Sequence, residues 1–144
     1  MRRLAIAVAL ILSVILVPAV IAQDKRTLTA SEPDQGVMSV EIEGHVGVMQ
    51  ILSSALAGIR IRVDVKSSTS KGRSRGNPQN VDLRSERRGS TLVVSLSGDY
   101  KDLEESWTLE IPAHLRVEAK VGVGDMNVAG VRAGIKAKVG VGAL

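Results

Sequence analysis

Apolar and polar residues alternate one for one through much of this chain, the pattern of strands with one buried face. Ile59 to Lys66 shows it most cleanly. Ile59, Ile61, Val63 and Val65 fall on one side, and Arg60, Arg62, Asp64 and Lys66 on the other. β-Branched residues at strict period two favour a strand over a helix. The same alternation predicts strands over Val37–Glu43, over Thr91–Ser97 and from Trp107 to Ile111. It predicts another over Arg116–Val123, with Val117, Ala119, Val121 and Val123 inward. A last inward row comprises Ile135, Ala137, Val139 and Val141, with Lys136 and Lys138 outward. Gly47–Leu52 and Val81–Glu86 read as shorter strands, the latter joined to Thr91–Ser97 by a bend at Arg87–Ser90.

Between these runs the chain is punctuated. Gly44–His45, Gly124–Asp125 and Gly130 read as turns, and Pro112 ends its strand because it has no N–H for the ladder. Ser53–Gly58 fits either a connecting turn or one helical turn. Three polar stretches lack periodicity. Residues 23–36 read as a disordered lead-in, 67–80 (SSTSKGRSRGNPQN) as a mobile basic loop, and 98–106 as an acidic connector. Residues 37–144 then form a single β-strand-repeat domain.

One phrase recurs. Ala119-Lys120-Val121-Gly122-Val123-Gly124 returns eighteen residues later as Ala137-Lys138-Val139-Gly140-Val141-Gly142. At about 3.3 Å per residue this interval holds two or three short strands with corners. The expected fold is all-β and solenoid-like, with stacked strand repeats; the alternative is a twisted two-layer antiparallel β-sandwich. Val121 stacked over Val139 in parallel register distinguishes the first from an antiparallel meander. The second copy stops at Leu144, which leaves the edge over residues 136–144 bare of a cap. Self-association, a strand partner there, or a longer natural chain is the expectation.

Composition narrows the picture. The chain has 144 residues, no Cys, no Phe, one Trp and one Tyr, so the core is aliphatic and no disulfide or thiolate chemistry exists. Arg2 and Arg3 precede an apolar run from Leu4 that is broken at Pro18, and Val20-Ile21-Ala22 supplies small residues for a peptidase. That is a secretory signal, residues 1–22, forming an N-terminal signal helix with cleavage expected after Ala22. The destination is export: periplasm, cell surface or medium. If uncleaved, the leader is the only membrane contact expected. Without Arg2 and Arg3 there remain 17 basic and 15 acidic residues, a net +2. So small a charge does not argue for nucleic-acid binding.

The stretch Leu109-Glu110-Ile111-Pro112, the strand Val117–Val121, then Gly122-Val123-Gly124-Asp125-Met126-Asn127-Val128 and Gly130-Val131 resemble a bacterial family of exported β-strand-repeat proteins labelled "putative adhesin", a domain of unknown function. The resemblance covers about forty residues and extends back to Val37, where Glu43–Ile51 looks like a degenerate copy. It implies an exported, elongated β-solenoid-like domain with no assigned catalysis. The chain departs from that pattern at its second copy, where Gly142-Ala143-Leu144 aligns with Gly124-Asp125-Met126.

Candidate chemistry is sparse. Gly122–Asp125 fails as a calcium loop because calcium needs six to eight oxygens and Ala143 replaces Asp125 in the second copy. It lacks the third Gly of a dinucleotide fingerprint. His45 and His114, the two histidines, both read as surface turn residues, and no Gly-x-Ser-x-Gly elbow exists. No catalytic, cofactor or metal residue is expected. The one candidate site is basic: Lys71, Arg73, Arg75, Arg84, Arg87 and Arg88, with Lys66 beside them, as an anion-binding set. Without aromatics to stack on bases, it points to an anionic polymer or lipid headgroups rather than nucleic acid. The functional expectation is a non-enzymatic, exported, adhesin-like structural or interaction module of the cell envelope. The alternative is a surface-binding module that uses the basic loop.

Overall fold

The computed structural model describes residues 24–70 and 73–144. These are all-β: β1 (Lys25–Glu32), β2 (Ser39–Ser54), β3 (Ile59–Ser70), β4 (Arg73–Arg75), β5 (Val81–Arg88), β6 (Thr91–Gly98), β7 (Leu103–Pro112), β8 (Arg116–Ala129) and β9 (Ile135–Ala143). A 3-10 turn at Pro78–Asn80 leads into β5, with Asn77 Oδ1 accepting the Gln79 N–H at 3.0 Å. The expected leader, residues 1–22, lies outside the described residues.

β2 organises the sheet. One of its edges runs parallel to β8 from Ser39↔Arg116 to Leu52↔Ala129. Its other edge is shared, with β6 parallel to Ser39–Ile42 and β7 parallel to Gly47–Ser54. Two arms therefore diverge from β2. β5 adds antiparallel to β6, while β3 and then β1 add antiparallel to β7. The outer edges of the arms meet through side chains. Arg26 donates to the Val81 carbonyl at 2.6 Å and pairs with Asp82, and the Ser85 hydroxyl donates to Glu32. The sheet is nearly closed around one aliphatic cluster that includes Ile42, Met49, Ile51, Ile61, Leu92, Trp107, Leu109 and Val117. Each fully buried side chain of this size contributes about 1.5–3 kcal/mol.

β9 lies parallel on β8, with Val121 opposite Val139 and the eighteen-residue repeat as the register offset. β2, β8 and β9 thus form a parallel stack of three strands, and Glu43–Ile51 does lie over the corresponding residues of β8. The parallel stack is flanked by antiparallel arms, so the sheet is mixed. It is neither the purely antiparallel sandwich offered as the alternative nor a stack of solenoid coils throughout.

All three stacked strands bend at one level. Gly47, Gly124 and Gly142 have φ of +142°, +137° and +138° and stand in one column. A Cβ on Gly124 would lie 1.7 Å from the Gly47 carbonyl oxygen, and one on Gly142 1.7 Å from that of Gly124. Glycine is required there both for its backbone angle and for the space. The bend also takes a residue out of the alternation, as a bulge does. In β2 the inward set is Val40 and Ile42 before the corner and Met49 and Ile51 after it.

Several sequence expectations are corrected. Gly44–His45 and Gly124–Asp125 are bends inside continuous strands, not turns between strands. Val123 and Val141, expected inward, are 48% and 68% exposed because the corner shifts the phase. Residues 25–32, expected to be disordered, form β1. Leu28 and Ala30 pack on the core, and the backbone pairs with all of Ile59–Lys66. Within 67–80, Ser68–Ser70 pairs antiparallel with Arg73–Arg75, and Ser67 and Pro78 are buried. The acidic connector shrinks to 99–102, since β7 starts at Leu103 with Leu103 and Glu105 buried.

Candidate functional site at the sheet corner

Among the described residues, a constellation of ionisable and aromatic groups forms where β2 bends over β7. Gly44 is buried in the bend, and a Cβ there would stand 3.1 Å from the Trp107 indole nitrogen and 3.1 Å from the Met49 methyl. Trp107 fills that space. Two residues before it, on the same face of β7, sits Glu105, a buried carboxylate at 3% exposure. It is held by three donors or partners. The His45 backbone N–H donates to its Oε2 at 2.6 Å, and the Trp107 indole N–H approaches the same atom at 3.4 Å. His45 Nδ1 lies 3.0 Å from its Oε1. The Tyr100 ring stacks on the imidazole with centroids 3.7 Å apart.

A buried charge is tolerated only when hydrogen-bonded, and Glu105 is. His45 is therefore not the surface turn residue expected. It sits inside β2, half-buried and paired. A carboxylate that orients an imidazole is also half of an acid–base device. The other half is missing among the described residues, because no hydroxyl is hydrogen-bonded to the ring and no group of three metal-binding side chains occurs. The pair instead locks the corner: it ties the β2 backbone to a β7 side chain at the level where β2 stops following β6 and starts following β7. Nothing in the local sequence marked Glu105 as inward, since GDYKDLEES is polar at almost every position. The signal was its phase with Leu103, Trp107 and Leu109.

Beside the corner, a shallow hollow of about 560 Å³ is lined by Thr27, Gly47, Arg62, Asp64, Lys66 and Glu104 among others. Several of its charges pair with each other. Lys66 pairs with Glu104 at 2.9 Å and Arg62 with Asp64 at 3.1 Å. The Thr27 hydroxyl bonds to Asp64 and is the main cause holding that carboxyl below its usual pKa; burial opposes it, and Arg62 adds to it.

His114 stands on the turn after β7, 69% exposed, with Asp34 4.0 Å away. Of the basic set, Lys71 lies outside the described residues. Arg73 and Arg75 are on β4, at the end of β3. Arg84, Arg87 and Arg88 are exposed on β5, the last two at its far end beside the Gly89 turn. Seven strand positions separate Val81 from Arg88, about 23 Å. Arg87 donates to the Pro33 and Gln35 carbonyls at 3.2 and 2.8 Å, and Arg88 pairs with Glu86 at 3.1 Å.

No family model matches the chain, and no curated protein does. Solved structures resemble it, two of them as follows. One is a "putative cell adhesion protein" from Clostridium sporogenes, 10% identical with a TM-score of 0.48, aligned over 82% of this chain and 58% of that one. Another is a "putative adhesin" from Parabacteroides merdae, 12% identical with a TM-score of 0.43, aligned over 74% of this chain and 40% of that one. The chain thus spans less than two thirds of either neighbour. Likeness at this distance bears on neither ligand nor partner.

Proposed function

We propose that this chain is an exported, non-enzymatic structural or interaction module of the cell envelope, adhesin-like, built on a solenoid-like stack of bent strands. The observation that supports this most is the stack itself: β2, β8 and β9 repeat one glycine corner in parallel register. The carboxylate–imidazole pair, by contrast, points into the fold and serves the corner.

The test starts with cells producing the full chain. Fractionation and N-terminal sequencing should find a protein that starts at Gln23 in the envelope or the medium, and cross-linking of intact cells should trap it in complexes. A cytoplasmic protein retaining Met1 would overturn the reading. In the alternative, a surface-binding module that uses the basic loop, Arg87 and Arg88 contribute least, since both already hold internal partners.

A further inference from the structure

The hollow beside the corner is a furrow between two rows of side chains on the outer face of the sheet. Across β1, β3 and β7, Lys25, Lys66 and Glu104 stand in register. Two positions along, Thr27, Asp64 and Ser106 do the same, and Val48 of β2 extends this second row. Between them runs a row made of Arg26, Val65, Glu105 and Gly47. Val65 and Glu105 are buried and Gly47 has no side chain, so the backbone of this middle row is the floor. The walls stand about 7 Å apart, two residues of strand, and the floor crosses four strands, about 14 Å. That space takes one or two sugar-sized rings and no folded partner.

The charges of the furrow do not cancel. Lys66 and Arg62 have carboxylate partners, Glu104 at 2.9 Å and Asp64 at 3.1 Å. The Arg26 guanidinium is engaged by the Val81 carbonyl and Asp82. Lys25 has no carboxylate at ion-pair distance among the described residues, and it stands directly across from Lys66. Like charges so placed repel, and an anion between them relieves the repulsion. The Asp64 carboxyl registers the same field. It is held below its usual range first by the Thr27 hydroxyl, against burial, and then by Arg62 and Lys25. Asp64 and Glu104 line the furrow too, so a dense polyanion is disfavoured. Those carboxylates accept hydrogen bonds from hydroxyl groups, while Arg62, Lys66, Thr27 and Ser106 donate to them. Val48, 50% exposed, offers an apolar contact to C–H groups.

We propose that the furrow binds a hydroxyl-rich ligand carrying one acidic group, an acidic sugar residue, with the acid between Lys25 and Lys66 and the ring hydroxyls on Arg62, Asp64 and Glu104. This rests on the reading of the chain as an interaction module, and it names the ligand class and the site. The site is separate from the basic residues of β4 and β5. Its volume of about 560 Å³ lies in the range of small-ligand sites. The furrow is open to water, so affinity is about millimolar and falls with added salt. A carboxylate and a phosphate supply the same anion there, and the test separates them.

The test is an NMR titration of the isotope-labelled full chain. The probes are methyl galacturonoside and methyl glucuronoside, a galactose phosphate, neutral methyl galactoside, and acetate, which has the acid without the hydroxyls. The uronosides should give saturable amide shifts at residues 25–27, 64–66 and 104–106. The neutral glycoside and acetate should each bind about tenfold more weakly, the loss of one charge-assisted contact or of the hydroxyl contacts. Lys25→Ser should weaken the uronosides about tenfold and leave the neutral glycoside unchanged, and Arg88→Ser, outside the furrow, should change neither. If the galactose phosphate gives those shifts in place of the uronosides, the acid is a phosphate and the site stands. Equal binding of uronoside and neutral glycoside, equal binding of acetate, or shifts centred on 73–75 or 84–88 would each overturn the proposal. So would an unchanged affinity in Lys25→Ser, or no saturable shift with any acidic sugar. A chain that is exported and cross-links on intact cells, yet binds no acidic sugar, refutes this site and leaves the module reading standing. A chain that binds as expected but stays in the cytoplasm with Met1 refutes the module reading alone.

Discussion

Replacing Gly124 by Ala tests whether the corner column holds the stack together. The substitution meets two obstacles. With φ at +137°, the backbone is in a region that L side chains rarely adopt, a strain of about 1–3 kcal/mol. The new methyl would also lie 1.7 Å from the Gly47 carbonyl oxygen, 2.7 Å from its carbon and 3.1 Å from its nitrogen. None of these is a side-chain atom able to swing away. β8 must lift from β2 at the corner, and β2–β8 is the longest pairing in the sheet. Losing even two of its hydrogen bonds removes a further 1–3 kcal/mol or so. The expected destabilisation is about 3–5 kcal/mol, a large part of the total for a domain of ordinary stability.

Two companion variants isolate the terms. Gly89→Ala meets nothing within 4 Å and has φ of +62°, so it reports backbone strain alone, about 1 kcal/mol. Gly142→Ala meets the same carbonyl clash as Gly124→Ala, but among the described residues β9 pairs with β8 alone and can splay away from it. Its loss should stay near that of Gly89→Ala and appear as faster amide exchange confined to β9. Urea unfolding of the three proteins gives the comparison. If Gly124→Ala costs no more than Gly89→Ala, the column of close backbone contacts does not carry the stack and the corner argument is wrong.

Glu105→Gln keeps an acceptor for the His45 and Trp107 N–H groups but removes its charge, and should cost about 1–2 kcal/mol; Glu105→Ala strands both donors and should cost about 3 kcal/mol or more, read by urea unfolding with Trp107 fluorescence as the probe. Asp64 has a folded pKa below its unfolded value, so its stabilising contribution is present above about pH 4 and fades as pH falls through the folded value. Thr27→Val removes the main cause, and the Asp64 carboxyl should then titrate at higher pH by NMR; an unchanged titration would contradict the Thr27 assignment. Arg87→Ser frees the Pro33 and Gln35 carbonyls, and hydrogen exchange should quicken near 33–36 with a global loss of about 1 kcal/mol or less.

What the alternation could reveal was whichever strand carries bulky apolar residues at every inward position. β3, β6 and the first half of β8 are such strands, and they were legible. β1 was not, because its inward row is Arg26, Leu28, Ala30 and Glu32, with only two apolar members, and its order comes from the β3 backbone beside it. β4 is three residues long and exists through pairing with Ser68–Ser70. The corner was seen as glycine but misjudged as a reversal. A φ near +140° bends a strand and shifts its phase without ending it, and no local pattern separates that from a turn. Glu105 was hidden for the opposite reason: a carboxylate on an inward position reads as a break in the strand, and only a partner sixty residues away, His45, makes it an inward residue. The eighteen-residue repeat was legible because its spacing equals a register offset. The 77-residue offset between β2 and β8 left only a degenerate likeness.

The column that runs Glu105, Gly47, Gly124, Gly142 also separates two kinds of information that the repeat mixes. Glycine is demanded where one parallel corner sits on the carbonyl of another. Glu105, at the base, lies against Val65 of an antiparallel neighbour and carries a full side chain. Gly142 therefore records that β9 rests on β8, as Gly124 records that β8 rests on β2 and Gly47 that β2 rests on the Glu105 carbonyl. The lysines carry a different signal: Lys138 lies opposite the like-charged Lys120, which does nothing to hold the strand. The two features should come apart under substitution. Gly142→Ala should loosen β9, raising its amide exchange. Lys138→Glu should leave β9 exchange within about twofold of the parent, as expected for an exposed charge. If Lys138→Glu instead loosens β9 as much as Gly142→Ala does, charge and not close backbone contact is holding the strand in place, and the steric account of the column is wrong.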